Sequence, residues 1–380
     1  MDTILLSSVT SFLITYFSIP IIIVVAQMKK LYDVPDDRKV HAAPIPSLGG
    51  LGIFAGLSFT MMVFIPFGQA EEFQYFMAAA LVIFFLGLKD DILNITWMKK
   101  FLGQFLAALL IMYKGGVQIR DMHGFLGIHE LPPASSVVFT LLTIIVIINS
   151  FNLIDGVDGL AASLGLISVA SFGAYFMHIG QNPYAMLAFI TAGSLLAFLI
   201  FNHSPARIFM GDTGSLLLGL VNAILVIRFI GLAGDADSAM PLNASPAIGF
   251  AVLMVPLFDT LRVFALRILS RRSPFSPDRN HVHHVMLDLG LSHSAVTYLL
   301  VLSNLVFILY SFFLRDYGTT FLLVSMLAFA ASVTGILIRL RSRRKSQEEE
   351  GELELEPSSS FANSRLLTFR RKNIVLPEDN

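Results

Sequence analysis

The sequence predicts an all-α, polytopic membrane helix bundle of about eleven transmembrane helices. Three observations carry this prediction. Of the 380 residues, 55% are hydrophobic and only 14% are charged, where a soluble protein averages roughly 25% charged residues. The mean hydropathy is +0.73. Long apolar runs recur along the chain, separated by breaks rich in charge, Gly or Pro, and each is close to the roughly 20 residues that a span needs.

In chain order the runs lie near 3–28, 49–67, 74–89, 101–113, 136–152, 160–178, 184–201, 213–231, 246–268, 294–314 and 319–338. The first has no basic residue before it and Lys29-Lys30 after it. That order is the reverse of a cleaved secretory leader, so a retained span is expected. Basic residues in the connections set the orientation. One alternate set holds eleven: Lys29, Lys30, Arg38, Lys39, Lys89, Lys99, Lys100, Arg207, Arg271, Arg272 and Arg279. The other holds three: Lys114, Arg120 and Arg315. The first set is therefore expected in the cytoplasm, with the N-terminus outside (periplasmic) and the C-terminus inside.

Two parts are expected, a transmembrane domain over 1–340 and a polar cytoplasmic tail over 341–380. Arg341, Arg343, Arg344 and Lys345 suit anionic lipid at the bilayer surface. The acidic and Ser-rich residues that follow have the composition of a disordered tail. A net charge of −1 gives no footing for a nucleic-acid partner, and the absence of Cys removes disulfide and thiol chemistry.

The polar residues that do not fit a lipid-facing helix fall in the cytoplasmic set. One stretch stands out: Asn149-Ser-Phe-Asn152-Leu-Ile-Asp155-Gly-Val-Asp158-Gly159. Two carboxylates at the end of a span are costly unless something uses or neutralises them. A helix–helix turn with acid caps would account for this stretch alone, since Asn, Asp and Gly form turns. The same set of connections also holds Asp90-Asp91, Phe209-Met-Gly-Asp212-Thr213-Gly-Ser215 and Arg279-Asn-His281-Val-His283-His284. The outer connections offer little. Turns alone would make both faces alike, so the one-sidedness points to a cytoplasmic active site.

Asp90 and Asp91 are neighbours on a helix and point about 100° apart. One can face a ligand while the other supports it. Together with Asp155, Asp158 and Asp212 they would form a self-repelling cluster, for which a hard divalent cation is the simple remedy. Asp212 opens a long apolar helix whose free N–H groups would favour phosphate, or Asp212 or Thr213 would cap it. The three His and Arg279 suit anionic phosphate oxygens better than zinc. Asp259, three residues before Arg262 inside an apolar run, reads first as half of an internal ion pair. Acids for Mg²⁺, bases for phosphates and an apolar surround would let a nucleotide meet a lipid phosphate. An ion-coupled transporter is the alternative from physics alone, although transporters place their acids near the midplane within repeats.

At these residues the chain resembles the bacterial polyprenyl-phosphate N-acetylhexosamine-1-phosphate transferases, glycosyltransferase family 4. The resemblance covers about residues 1–340, and four motifs occur in the family's order. Pro256-Leu-Phe-Asp259-Thr and the stretch around Asp278-Arg279-Asn-His281 look like the branch using UDP-N-acetylglucosamine and undecaprenyl phosphate, rather than the phospho-MurNAc-pentapeptide branch. The resemblance implies transfer of N-acetylhexosamine 1-phosphate from a UDP-N-acetylhexosamine to undecaprenyl phosphate, with UMP released. Such a step begins a cell-surface polysaccharide, such as lipopolysaccharide O-antigen, at the bacterial inner membrane.

It also implies site roles. Asp90, Asp91, Asp155 and Asp212 would be catalytic. Asp212, Asp155 and Asp91 would hold Mg²⁺, or Mn²⁺ in its place. Asn152, Asp158 and Phe209 would line the nucleotide site, with Phe209 stacking on uracil. Arg279, His281, His283 and His284 would hold the diphosphate or sugar, and Lys39 or His41 would serve from the first cytoplasmic connection. Asp90 would take a proton from the lipid phosphate in a one-step mechanism; a carboxylate nucleophile in two steps is the alternative. The family also suggests a homodimer.

Overall fold

The computed structural model describes residues 1–31, 45–68, 70–273 and 279–355, with the side chains of the last stretch described to residue 347. The chain divides into two units, residues 1–332 and 333–380. In the first unit each predicted apolar run contains a helix. These are α1 (Asp2–Lys29), α2 (Gly49–Phe64), α3 (Glu72–Leu93), α4 (Trp97–Tyr113), α5 (Pro133–Ile154), α6 (Leu160–His178), α7 (Asn182–Asn202), α8 (Gly211–Ala233), the pair α9 (Ser245–Val252) and α10 (Met254–Leu269), α12 (His293–Phe313) and the start of α13 (Thr319–Leu355). A short helix, α11 (Val282–Asp288), precedes α12. In the second unit α13 continues from residue 333 to Leu355, past the boundary expected at 340.

The protein is a polytopic membrane helix bundle. Among the described residues seven helices are long and apolar enough to cross a bilayer, and the bent α9–α10 pair makes eight. Helices α2 and α4 have 16 and 17 residues, about 24–26 Å at about 1.5 Å per residue, against an apolar core of about 30 Å. The expectation of an all-α chain needs one addition. An antiparallel hairpin, β1 (Asp121–Phe125) and β2 (Ile128–Glu130), joins α4 to α5, with Asp121 opposite Glu130. Its tight turn is allowed by Gly124 and Gly127, at φ of 77° and 79°.

Successive helices run in alternate directions, and hydrogen bonds tie their ends into two rims. At one rim Gly49 N–H donates to the Phe209 carbonyl (2.9 Å), Gly159 N–H to Asn202 Oδ1 (2.9 Å) and the Thr297 hydroxyl to the Asp158 carbonyl (2.9 Å). At the other the Tyr184 hydroxyl donates to Glu72 (3.0 Å), Ser245 Oγ to the Ile230 carbonyl (3.0 Å) and Thr319 Oγ1 to the His123 carbonyl (3.0 Å). All four polar motifs lie at the first rim.

Helix α8 is the axis of this unit. It is apolar on all sides and buried along most of its length, as a helix surrounded by others must be; α2, α3, α5, α6 and α9 pack on it. Its first turn is held by glycine contacts. A Cβ on Gly50 of α2 would lie 2.2 Å from Gly214 N, and one on Gly87 of α3 would lie 2.5 Å from Thr213 Cα. Only bare backbone lets three helices meet at this point, and this meeting positions the site.

Candidate active site

The site begins at the N-terminus of α8. The expectation of free N–H groups there, or of a cap from Asp212 or Thr213, gives way to a cap from another helix. Asp91 of α3 accepts from Asp212 N–H (2.7 Å), Thr213 N–H (3.0 Å) and the Thr213 hydroxyl (2.5 Å). A carboxylate at this position also meets the positive end of the helix dipole. Gly211, at φ 70°, makes the turn into α8; a Cβ there would lie 2.1 Å from the Ser47 carbonyl oxygen. Asp91 thus supports the start of α8, while both neighbouring acids line the cavity.

Asp90 turns the other way. Its Oδ1 accepts from Ile95 N–H (2.7 Å), which organises the turn from α3 into α4. Its Oδ2 meets the Lys100 ammonium at 3.0 Å. That ammonium also forms a close ion pair with Asp212 Oδ2 and reaches Asn152 Oδ1 at 3.3 Å. Asn152 in turn donates to Asp212 Oδ1 (2.7 Å) and Ser215 Oγ (3.0 Å). One turn deeper, Gln104 and Asn149 exchange amide hydrogen bonds at 3.3 and 2.8 Å. This second rung fixes α4 against α5 and so fixes Lys100 against Asn152.

The segment after α5 is a turn, and Asp155 and Asp158 meet different surroundings. Asp158 is buried; its carboxylate accepts from Ala206 N–H (3.2 Å) and meets His293 Nδ1 at 3.4 Å. The Asp155 carboxyl faces the cavity with no hydrogen-bond partner among the described residues. Burial, and then the carboxylates of Asp212, Asp91 and Asp158, push its pKa up to about 8.

The arm from Arg279 to His293 closes the far side, and the three histidines separate. His281 is buried, its Nδ1 2.8 Å from Asp259 Oδ2. Asp259 pairs with Arg262 at 2.8 Å, as the spacing predicts. His283 is fully buried, and Gly156 exists to admit it: a Cβ there would lie 2.6 Å from His283 Nε2. Burial, then the His284 ring, lower the His283 pKa to about 3, so it packs as a neutral ring. Of the three only His284 reaches the cavity. The expectation that all three touch the ligand is corrected accordingly.

These parts enclose a cavity of about 380 Å³ lined by Asp90, Asp91, Asn152, Asp155, Asp158, Phe209, Asp212, Arg279 and His284, with Ser47, Asn94 and His293 among the others. The volume suits a small polar ligand. Lys39 and His41 lie outside the described residues. The sequence carries no site signal for Lys100 or His293, both of which the structure brings to the site. Lys100 is one basic residue among eleven in its set of connections, and no spacing signal ties it to Asp212, 112 residues away. His293 stands alone at a helix start, with no motif around it.

The fold and this cavity define a multi-pass membrane protein with an acidic site, bridged by a lysine and flanked by Arg and His, at one rim. The sequence pattern of glycosyl transferase family 4 matches residues 73–230, which include Asp90, Lys100, Asp155 and Asp212. The chain is 34% identical over 319 residues to the decaprenyl-phosphate N-acetylglucosaminephosphotransferase of Mycobacterium leprae (strain TN), covering 78% of this chain and 80% of that one. It is 30% identical over 349 residues to a probable undecaprenyl-phosphate N-acetylglucosaminyl 1-phosphate transferase of Bacillus subtilis (strain 168), covering 89% and 94%. Against the undecaprenyl-phosphate alpha-N-acetylglucosaminyl 1-phosphate transferase of Escherichia coli (strain K12), identity is 29% over 288 residues, covering 73% and 75%. The chain belongs to glycosyl transferase family 4.

Proposed function

We propose that the protein transfers N-acetylglucosamine 1-phosphate from UDP-N-acetylglucosamine to undecaprenyl phosphate at the cytoplasmic face of a bacterial inner membrane. An oxygen of the lipid phosphate attacks the β-phosphorus. The bond from that phosphorus to the oxygen of UMP breaks, UMP leaves, and a lipid-diphosphate sugar remains to begin a cell-surface polysaccharide. The observation that carries this reading is the convergence of Asp90, Asp155, Asp212 and Asn152 from three helix ends into one cavity. The rim that holds the cavity is also the rim of Lys89, Lys99, Arg207, Arg271 and Arg272, which under the positive-inside rule makes it cytoplasmic. Eleven crossings with the N-terminus outside are part of this proposal; the alternation of the helices supports them, with α2, α3 and α4 taken as crossings in a thinned region.

Phosphoryl transfer mainly needs alignment and charge neutralisation. Arg279 and His284 offer cationic or donor groups on the wall facing the acids. Phe209, half-buried in the wall, offers a ring face to the uracil. Asp90 is tied to Ile95 N–H and to Lys100, which weakens it as a base. The proton-accepting role falls better to Asp155, whose carboxyl has no such ties.

Among the described residues no three His, Cys, Asp or Glu side chains form a metal cage. Mg²⁺ needs none, since it commonly takes one or two carboxylates together with substrate phosphates. Asp212 and Asp90, whose Oδ2 atoms meet at one cationic point, and the Asn152 amide oxygen fit it as donors. Bound there, Mg²⁺ (or Mn²⁺) would neutralise the charge developing on the phosphate oxygens.

The test supplies purified protein with undecaprenyl phosphate, Mg²⁺ and a panel of UDP-sugars, and measures UMP. UMP release with UDP-N-acetylglucosamine is expected, abolished by EDTA. Asp212→Asn and Lys100→Met are each expected to lower it by about a hundredfold or more, the scale of losing a preorganised electrostatic partner. Near-full activity in Asp212→Asn would reject its metal role, and no UMP from any UDP-sugar would reject the whole reading.

A further inference from the structure

We propose that Asp259 is a positioning residue for the donor, setting the Arg279–His284 wall of the cavity from inside the helix bundle. This rests on the transferase reading above and goes beyond it, because Asp259 does not itself reach the cavity. Asp259 is 2% exposed in the apolar α10. A carboxylate there is costly unless it is fully used. Its Oδ1 accepts from Arg262 Nη2 (2.8 Å) and from Val282 N–H (3.0 Å), and its Oδ2 lies 2.8 Å from His281 Nδ1. The same Arg262 nitrogen donates to the Asn280 carbonyl at 2.5 Å.

An internal ion pair would explain Arg262 alone. It does not explain why His281 and Val282, 22 and 23 residues further along the chain, both turn to the same carboxylate. Their common feature is that they start α11. Val282 N–H is one of the donors a helix start leaves without an internal partner, and Asp259 satisfies it from another helix. The tie to His281 selects the tautomer with its proton on Nδ1. The His281 ring then stacks on His283, with centroids 5.7 Å apart and planes 11° apart, and His283 rests on Gly156 beside Asp155. One buried carboxylate thus holds His281 and Val282 directly, Asn280 through Arg262, and His283 through the ring stack. The two side chains of the Arg279–His284 segment that line the cavity flank the pinned residues directly.

The test uses the full-length protein in two independent measurements. The first is hydrogen exchange at the backbone amides of 280–285. Asp259→Asn is expected to raise exchange there while leaving α5 and α8 unchanged. Unchanged exchange at 280–285 overturns the proposal, whether or not the transferase reading holds. The second is steady-state UMP release. Asp259→Asn and His281→Phe should each raise the KM for UDP-N-acetylglucosamine about tenfold with a much smaller change in kcat, since displacing a binding wall by a fraction of an ångström has effects of this order. The double variant should be no worse than either single one, because both remove one tie. Tyr184→Phe, which removes a hydrogen bond to Glu72 at the opposite rim, serves as the purely structural control and should leave that KM alone. Additive effects of Asp259→Asn and His281→Phe, or a KM rise in Tyr184→Phe equal to that in Asp259→Asn, would overturn the proposal. If Asp259→Asn does not fold, Arg262→Lys and His281→Asn carry the same comparisons. A wild-type protein that turns over no UDP-sugar would instead remove the transferase reading, leaving the exchange measurement to decide on Asp259.

Discussion

Asp90 and Asp212 tolerate each other because the Lys100 ammonium lies between them. Two carboxylates a few ångströms apart in a poorly solvated site repel by several kcal/mol even at an effective dielectric constant of about 20, and one interposed cation reverses the sign. The same scale explains the opposite behaviour of His283, where burial and the His284 ring outweigh the Asp259 charge that would favour protonation. Its pKa is lowered from 6.5 to about 3. Between those values the unfolded chain carries a proton on His283 that the folded chain does not. Stability is therefore fully present above 6.5 and is lost as pH falls below it. The melting temperature in detergent should drop as pH is lowered from about 6.5 to about 5, and His283→Leu should flatten that dependence. Equal slopes in the two proteins would mean that His283 does not stay neutral in the folded state. Asp90, Asp155 and Asp212 were recognisable from sequence because a carboxylate at the end of an apolar run is conspicuous. The inward turn of His281 and His283 was not, because nothing in His-Val-His-His says which ring finds a carboxylate and which finds a glycine.

Among the helices, the pair α9–α10 bends by 87° at Leu253. A break inside an apolar layer frees backbone groups that water cannot satisfy. Asn304 of α12 meets both sides of the break: its Oδ1 accepts from Val255 N–H (3.1 Å) and its Nδ2 donates to the Val252 carbonyl (3.0 Å). Asn304→Ala would leave two buried groups unpaired, at about 1–3 kcal/mol each, and should lower the melting temperature by several degrees with little loss of UMP release. A melting temperature equal to wild type would show that the bend does not depend on this side chain. The apolar run 246–268 announces a helix, and Pro256, which has no N–H for the Val252 carbonyl, marks where it can break, but the compensating amide lies about fifty residues away. The cap on α8 is similar. Phe209-Met-Gly211-Asp212 marks a helix start, while the capping carboxylate comes from Asp91, 121 residues earlier.

Over the whole molecule the proposed orientation puts the cavity rim in the cytoplasm, and the absence of Cys makes it easy to test. A single cysteine in place of Ser273, at the cavity rim, should react with a membrane-impermeant maleimide only after the inner membrane is opened. One in place of Asp237, at the opposite rim, should react in intact spheroplasts. The reverse pattern would put the cavity outside and remove access to a cytoplasmic nucleotide. By itself the sequence determined the membrane class, the run of helices and the side on which the acids gather. These are local properties, because hydrocarbon partitioning and charge bias act on each segment separately. Only the tertiary structure decided that Lys100 bridges the acids, that Asp91 caps α8 from the cavity wall, and that a single histidine of His281, His283 and His284 reaches the cavity. Those outcomes depend on which side chains meet across a hundred residues of chain, and close backbone approach at Gly50, Gly87 and Gly156 selects among them.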